Sequence, residues 1–121
     1  MFSLSPFIRV FVYARPTDMR WSFRGLSALV RNQLSQDPFS GHLFLFRSKR
    51  GNYLKILWWD QDGFAIFAKR LEKGTFRFPV IQFIDGVCQP IELERSELLL
   101  LLEGIDIKNI QRQKRYRQAA A

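Results

Sequence analysis

Apolar residues near the start of the chain predict a β-strand. From Phe7 to Ala14 apolar and β-branched residues run almost without interruption, broken only by Arg9. The dipeptide Pro16-Thr17 follows, and proline disfavours continuation of a paired strand. We therefore expect the first strand to end there.

The next segment changes to a helical period and predicts a long helix from about Asp18 to about Gln36. Thr17 or Asp18 is expected to cap it, because an acidic side chain suits the positive end of a helix dipole. The apolar residues lie at spacings of four, three, four and four, which places them on one face: Met19, Phe23, Leu26, Val30 and Leu34. A cationic stripe flanks that face and either keeps the helix soluble or contacts phosphates: Arg20, Arg24 and Arg31.

Three further strands are predicted in the middle of the chain: His42 to Arg47, Tyr53 to Asp60 and Phe64 to Arg70. The turn Asp37–Gly41 precedes them, and we expect Phe39 to be tucked into the core there. Apolar residues in the first two strands are nearly continuous, which is typical of strands covered on both faces. The long helix would cover one face, and a partner or a second helix would cover the other.

The last third of the chain predicts more strands. Thr75 to Pro79 is a candidate extension of the sheet. The pair Asp85-Gly86 is a strong hairpin signal, and it separates the apolar segments Val80–Ile84 and Val87–Ile91.

A short helix from about Ser96 to Glu103 follows, with Gly104 as its stop. Together these elements predict one α+β domain over residues 1–107. An antiparallel sheet of about five to six strands would pack against the long N-terminal helix. Residues 108–121 are rich in Lys and Arg, have little to bury, and are expected to form a disordered basic tail.

Charge indicates a polyanionic partner. The chain has 121 residues, 19 Lys and Arg against 11 Asp and Glu, and a formal net charge of +8. A basic domain of this size favours DNA, RNA or an anionic membrane as partner, with incidental basicity as the alternative. No apolar run approaches the length of a membrane span. We expect no membrane partner.

Cysteine and histidine usage excludes two kinds of site. Cys88 is the only cysteine and His42 the only histidine. A disulfide within the chain is therefore excluded, which favours a reducing cytoplasm, and one chain cannot build a His/Cys zinc site. Neither residue has a partner that would activate it for catalysis, and no cofactor is expected.

Several motifs in order resemble one known family. They are Thr17-Asp18-Met19-Arg20, Asp37-Pro38-Phe39-Ser40-Gly41, Lys55-Ile56-Leu57-Trp58-Trp59-Asp60 with Gly63, Phe67-Ala68-Lys69-Arg70-Leu71, and Gly74-Thr75-Phe76. From about Arg9 to Ile107 the chain resembles the small accessory protein of insertion-sequence-66 type bacterial transposons, called TnpB or the second open-reading-frame product. The resemblance implies a role in transposition beside a separate, larger transposase, and it assigns no reaction.

Cations and aromatic residues interleave through the same block. Antiparallel pairing could bring several of them to one surface. Clustered cations there would bind phosphates with release of counterions, and aromatic rings can stack on bases. Trp58 and Trp59 are expected to point to opposite sides of their strand, with one partly exposed. Beside the helical arginines, the predicted nucleic-acid contacts are Arg47, Lys49, Arg50, Lys55, Trp58, Trp59, Lys69 and Arg70.

Three functions fit these residues. The first is a non-catalytic accessory protein of transposition that binds DNA and the transposase. The second is a protein-interaction module, either a homodimer or a transposase partner, without direct DNA binding. The third is a metal-dependent nuclease using Asp60, Asp62 or Glu72, although capping and turn roles account for most acidic residues.

Overall fold

A computed structural model describes residues 6–78, 83–84, 87–88 and 91–104. The elements are β1 Val10–Pro16, α1 Phe23–Asn32, β2 Leu43–Arg47, β3 Tyr53–Trp59, β4 Phe64–Arg70, β5 Phe83–Ile84, β6 Val87–Cys88, β7 Ile91–Leu93 and α2 Arg95–Leu102. Five strands form one sheet in the order β4-β3-β2-β1-β7, so that β2 is central. Strands β5 and β6 form a separate antiparallel pair.

The predicted antiparallel sheet is wrong, because the sheet is mixed. Strands β1 and β2 pair in parallel, with Val10 opposite Leu43 and Tyr13 opposite Phe46. The other pairings, β2 with β3, β3 with β4 and β1 with β7, are antiparallel. Two parallel strands need a crossover connection, and α1 provides it by carrying the chain back between them. The α1 segment is thus the middle of a strand–helix–strand unit.

The predicted long N-terminal helix is also wrong, since α1 begins only at Phe23. A turn occupies the preceding residues, where the Trp21 backbone N–H donates to the Asp18 carbonyl at 3.1 Å. The Asp18 side chain accepts from the Arg20 backbone N–H at 2.9 Å. Aspartate favours such local side-chain bonds over helical ones. Ser22, and neither Thr17 nor Asp18, therefore holds the cap position.

The other end of α1 lies at Asn32 rather than near Gln36. Ser35 has a φ of 53°, in the left-handed region that interrupts a right-handed helix. The Gln36 N–H donates to the Val30 carbonyl at 3.1 Å. The donor and acceptor are six residues apart in sequence, whereas an α-helical bond joins residues four apart. Leu34 still lies in the core. The apolar period thus identified four residues that pack together, Met19, Leu26, Val30 and Leu34. It was wrong for Phe23, which is 47% exposed, and it overestimated the length of the helix.

Both faces of the sheet are buried, as the continuous apolar runs predict. On one face α1 places Leu26 and Val30 against Phe44, Phe46 and Leu57. On the other face, α2 contributes two leucines to a core with strand residues and a loop phenylalanine: Val10, Val12, Leu43, Leu45, Leu54, Ile56, Phe76, Leu93, Leu98 and Leu101. The chain therefore covers its own central strands.

The middle strands agree closely with the sequence prediction. The bounds of β4 are those predicted, and β2 and β3 each differ by one residue at one end. The candidate strand at Thr75–Pro79 does not form within its described residues, 75–78. Phe83 pairs with Cys88 as a hairpin requires, but the turn Asp85-Gly86 lies outside the described residues. Residues 105–121 also lie outside them, so the basic tail and the domain boundary remain predictions.

Helix α2 lies within one residue of the predicted C-terminal helix at each end, and hydrogen bonds fix both of its ends. A capping box joins Glu94 and Glu97 at its start. At its end the Lys69 ammonium donates to the Leu102 carbonyl at 2.8 Å. A cation there satisfies a carbonyl that the helix itself leaves unpaired and complements the negative end of the helix dipole. Within the described ranges, neither helix is long and apolar enough to cross a membrane.

We predict that Lys69→Met destabilises the fold by about 1 kcal/mol, because the half-buried Leu102 carbonyl loses a charged donor while the aliphatic stem is kept. Urea unfolding of the two proteins measures the difference. Lys49→Met is the matched control, because Lys49 is exposed. Equal stability of the two variants would contradict the role assigned to Lys69.

Candidate nucleic-acid interface

A shallow cationic cleft lies where the β2–β3 turn meets the end of β4. Its volume is about 460 Å³. We call it the cationic cleft, and it is lined by Thr17, Met19, Ser48, Lys49, Arg50, Asn52, Tyr53 and Arg70. Three cations and four hydroxyl or amide side chains in one concavity are the groups that bind phosphate oxygens.

The turn that carries Lys49 and Arg50 is fixed by a hydrogen-bond network. Gly51 has a φ of 76°, which favours glycine, and its N–H donates to the Ser48 carbonyl at 3.0 Å. The Ser48 hydroxyl accepts from the Tyr53 N–H at 3.2 Å. The side chains of Lys49 and Arg50 remain exposed. The backbone is therefore held in place while its cations face solvent.

Arg70 is held over an aromatic ring. Tyr53 and Arg70 are directly opposite in the β3–β4 register. The Arg70 guanidinium carbon lies 4.5 Å from the centroid of the Tyr53 ring, within the range of a cation–π interaction. Arg70 remains exposed. This contact orients the guanidinium without neutralising it, so the charge stays available to an anion.

Lys55 connects the cationic cleft to the turn before α1. Its ammonium donates to the Trp21 carbonyl at 2.9 Å and lies 6.0 Å from the Tyr53 ring centroid. Lys55 is half-buried. Its hydrogen bond joins residues 34 positions apart in the chain, which makes Lys55 a structural tie first.

A larger cavity, of about 1060 Å³, lies at the opposite edge of the sheet, beside β7. Glu92, Glu94 and Glu97 are among its lining residues. The carboxylate of Glu92 is paired with Arg9 at 2.7 Å, which lowers the pKa of Glu92. Arg9 and Arg95 also line this cavity, and three carboxylates against two guanidinium groups leave its lining net negative. A net negative lining disfavours a phosphate chain, so size alone does not make this cavity the nucleic-acid site.

Of the other predicted cations, some are hydrogen-bonded within the protein and others are exposed on α1. The Arg47 guanidinium donates from Nε to the Ala14 carbonyl at 2.6 Å and supports the end of β1. Arg20 is paired with Asp18 at 2.7 Å, which neutralises its charge locally. Arg24 and Arg31 lie exposed on α1. The structure brings Lys49, Arg50 and Arg70 together in the cleft.

The two adjacent tryptophans lie on opposite faces of the sheet, as predicted. Trp58 packs against the core beneath α2. Trp59 contacts Phe64 and Phe39, with ring centroids 5.1 and 5.0 Å away. Both tryptophans are partly buried. Phe39 itself is 50% exposed, so the prediction that it is tucked into the core is wrong.

Comparison with known sequences identifies the family. A sequence profile of the family described as IS66 Orf2 like protein matches residues 8–112. This chain belongs to the IS66 Orf2-like family. The family is associated with transposons of the IS66 type, which confirms the resemblance seen in the sequence.

Two relatives of the IS66 Orf2-like chain come from Sinorhizobium fredii. The uncharacterized protein y4jC is 36% identical over 105 residues, 87% of this chain and 86% of its own length. The uncharacterized protein y4hO is 36% identical over 104 residues, 86% of each chain. No solved structure matches the chain.

The structure explains two polar residues of the family pattern as structural. Lys55 and Lys69 both donate to main-chain carbonyls distant in sequence. Sequence reasoning assigned them to nucleic acid, because a lysine gives no signal of a distant carbonyl partner. Conversely, it left Ser48 and Asn52 out of the site, although the hydroxyl and amide beside Lys49 and Arg50 were a usable signal.

Catalytic chemistry finds little support in the described residues. His42 accepts the Arg9 backbone N–H through Nδ1 at 2.9 Å, and burial, with Arg9, lowers the pKa of His42. Asp60 and Asp62 are exposed on the β3–β4 turn, and Glu72 is exposed on the following loop. Within residues 6–78, 83–84, 87–88 and 91–104, no three His, Cys, Asp or Glu side chains are grouped to hold a metal.

We predict an unusually acidic Asp18. Hydrogen bonds from the Arg20 side chain and then its backbone N–H lower the pKa of Asp18 from 3.8 to about 2. Because the folded-state pKa is below the ordinary value, ionised Asp18 stabilises the fold above about pH 4. That contribution is lost as the pH falls from about 4 towards 2.

Carboxyl-carbon NMR titration measures this pKa directly. Arg20→Gln should raise the Asp18 midpoint towards 3.8, since it removes the guanidinium donor. Arg24→Gln is the control and should leave the midpoint unchanged. An Asp18 midpoint near 3.8 in the unmodified protein would disprove the pairing.

Proposed function

We propose that this IS66 Orf2-like protein is a non-catalytic accessory protein of transposition that acts in the bacterial cytoplasm and binds DNA through the cationic cleft. The observation that carries the proposal is the exposed Arg70 guanidinium, oriented by Tyr53 beside Lys49 and Arg50. Three exposed cations at one concavity, on a chain of net charge +8, suit a phosphate backbone.

The chemistry of the cleft favours phosphate contacts over base reading. Guanidinium and ammonium groups bind phosphate oxygens, and backbone contacts of this kind carry no sequence information directly. The amide nitrogen of Asn52 suits the same oxygens, and the Ser48 hydroxyl positions that amide by donating to the Asn52 Oδ1 at 3.3 Å. We therefore infer salt-sensitive, weakly sequence-selective binding. The rival set of phosphate contacts, predicted from the sequence, is Arg24 and Arg31, which are exposed on α1 and lie outside the cleft.

We predict that the triple variant Lys49→Ala, Arg50→Ala, Arg70→Ala loses most affinity for duplex DNA at low salt. Each phosphate contact removed should reduce the slope of log affinity against log salt by about 0.9. Fluorescence anisotropy with a labelled duplex across a salt series measures both quantities. The variant should remain folded, because these exposed cations form none of the main-chain ties made by Lys55 and Lys69.

A charge-matched control distinguishes binding at the cleft from binding driven by the net charge of the protein. Arg24→Ala, Arg31→Ala, Arg95→Ala also removes three positive charges, all from helices. We expect this variant to lose less affinity than the cleft variant. Equal losses would mean that overall charge drives binding, and no binding by the unmodified protein at low salt would refute the proposal.

A separate transposase of the same element is the proposed protein partner. The support is an aromatic cluster of Phe39, Trp59 and Phe64, whose ring centroids lie 5.0 to 5.2 Å apart. It lies at the far end of β3 from Tyr53, about 20 Å away at the usual rise per strand residue. Exposed Asp60 and Asp62 flank it. Half-exposed aromatic residues are typical anchors of protein interfaces, so DNA and partner would use opposite ends of one strand.

We predict that Phe39→Ala weakens the complex with the purified transposase while DNA binding is kept, because the anchor is remote from the cleft. Size-exclusion chromatography at high salt, where an apolar interface persists, measures the complex. The cleft triple variant is the reciprocal control and should keep the transposase. A self-associated chain that Phe39→Ala dissociates would favour a homodimer instead.

A further inference from the structure

Trp21 is held in a defined position at the start of α1. A methyl group at position 25 would lie 3.1 Å from the Trp21 Cβ, 3.2 Å from its Cγ and 3.3 Å from its Cδ2. The tryptophan side chain thus occupies the space beside Gly25. Glycine inside a helix costs about 1 kcal/mol relative to alanine, so its presence here needs a reason, and the seat for the indole supplies one.

Despite this packing, Trp21 is 45% exposed. A large aromatic side chain that is fixed in place and still reaches solvent is well suited to stack on another flat group. Trp58 and Trp59 lack this combination, because one packs under α2 and the other contacts Phe39 and Phe64. Among the three tryptophans, Trp21 is therefore the one placed as a platform.

Trp21 is also adjacent to the cationic cleft. The Lys55 ammonium donates to the Trp21 carbonyl and lies 6.0 Å from the Tyr53 ring, which lines the cleft. Met19, two residues before Trp21, lines it as well. A single lysine side chain thus connects the Trp21 backbone to the ring that orients Arg70.

We propose that Trp21 stacks on an unpaired base of a DNA single strand whose phosphates lie in the cationic cleft. The inference rests on the proposed function, since it needs the cleft to bind phosphate. It adds a preference for single-stranded segments, because a base inside a duplex is already stacked on its neighbours. Tyr53 is less suited to this task, since Arg70 lies over its ring.

The proposal is tested by measuring the affinity of the Trp21→Ala variant for single-stranded and duplex oligonucleotides that carry the same number of phosphates. We expect affinity for a single-stranded oligothymidylate to fall about tenfold, the scale of one base–aromatic stack, with duplex affinity little changed. An oligonucleotide with abasic sites should bind the unmodified protein about as weakly as oligothymidylate binds Trp21→Ala. Trp21→Phe should restore part of the loss.

Leu99→Ala is the matched control, because Leu99 is 54% exposed on α2 and should not affect either affinity. Circular dichroism verifies that each variant is folded. If Trp21→Ala leaves single-strand affinity unchanged while the cleft variant loses it, the stacking inference fails and the proposed function stands. If neither variant changes affinity, the proposed function itself fails.

An oligouridylate of the same length tests the nucleic acid involved. Equal or weaker binding than oligothymidylate agrees with the assignment to DNA. Binding of oligouridylate alone would overturn it.

Discussion

The need to bury both faces of the central strand governs this fold. Residues Leu43 to Phe46 of β2 are at most 1% exposed, so each face requires its own cover. Helix α1 covers one face and α2 the other, each with its own core. Covering the first face also fixes the topology, because a helix inserted between β1 and β2 returns the chain in the same direction and makes the pair parallel. The remaining contacts hold these two covers in place.

That constraint divides the cations into two groups. Lys55 ties the turn before α1 to the sheet, and Lys69 binds the end of α2, each through a main-chain carbonyl more than 30 positions away. Loss of either would loosen a cover over the central strand. Lys49, Arg50 and Arg70 form no such tie and line one cleft. The proposed binding surface is thus made of cations that the fold does not use for itself.

Sequence reasoning located the strands better than their arrangement. Dense apolar runs bounded by turn residues placed β2, β3 and β4 almost to the residue, and Gly104 marked the end of α2. Parallel pairing was missed, because the strand that β1 joins depends on the whole chain. The helix was predicted to begin too early, because the local hydrogen bonds of the Asp18 side chain compete with helix formation. In the site, strand alternation separated Trp58 from Trp59. The structural bonds of Lys55 and Lys69 could not be predicted, because their acceptors are main-chain atoms far along the sequence.

The proposed function places the phosphate backbone of DNA in the cleft between the β2–β3 turn and the end of β4. Titration of the isotope-labelled protein with a short DNA, followed by NMR, locates the bound phosphates. Chemical-shift changes should concentrate at backbone amides of residues 48–53 and at Arg70, and should fade as salt is added. Changes concentrated instead along α1, at the cavity beside β7, or at no residue would contradict it.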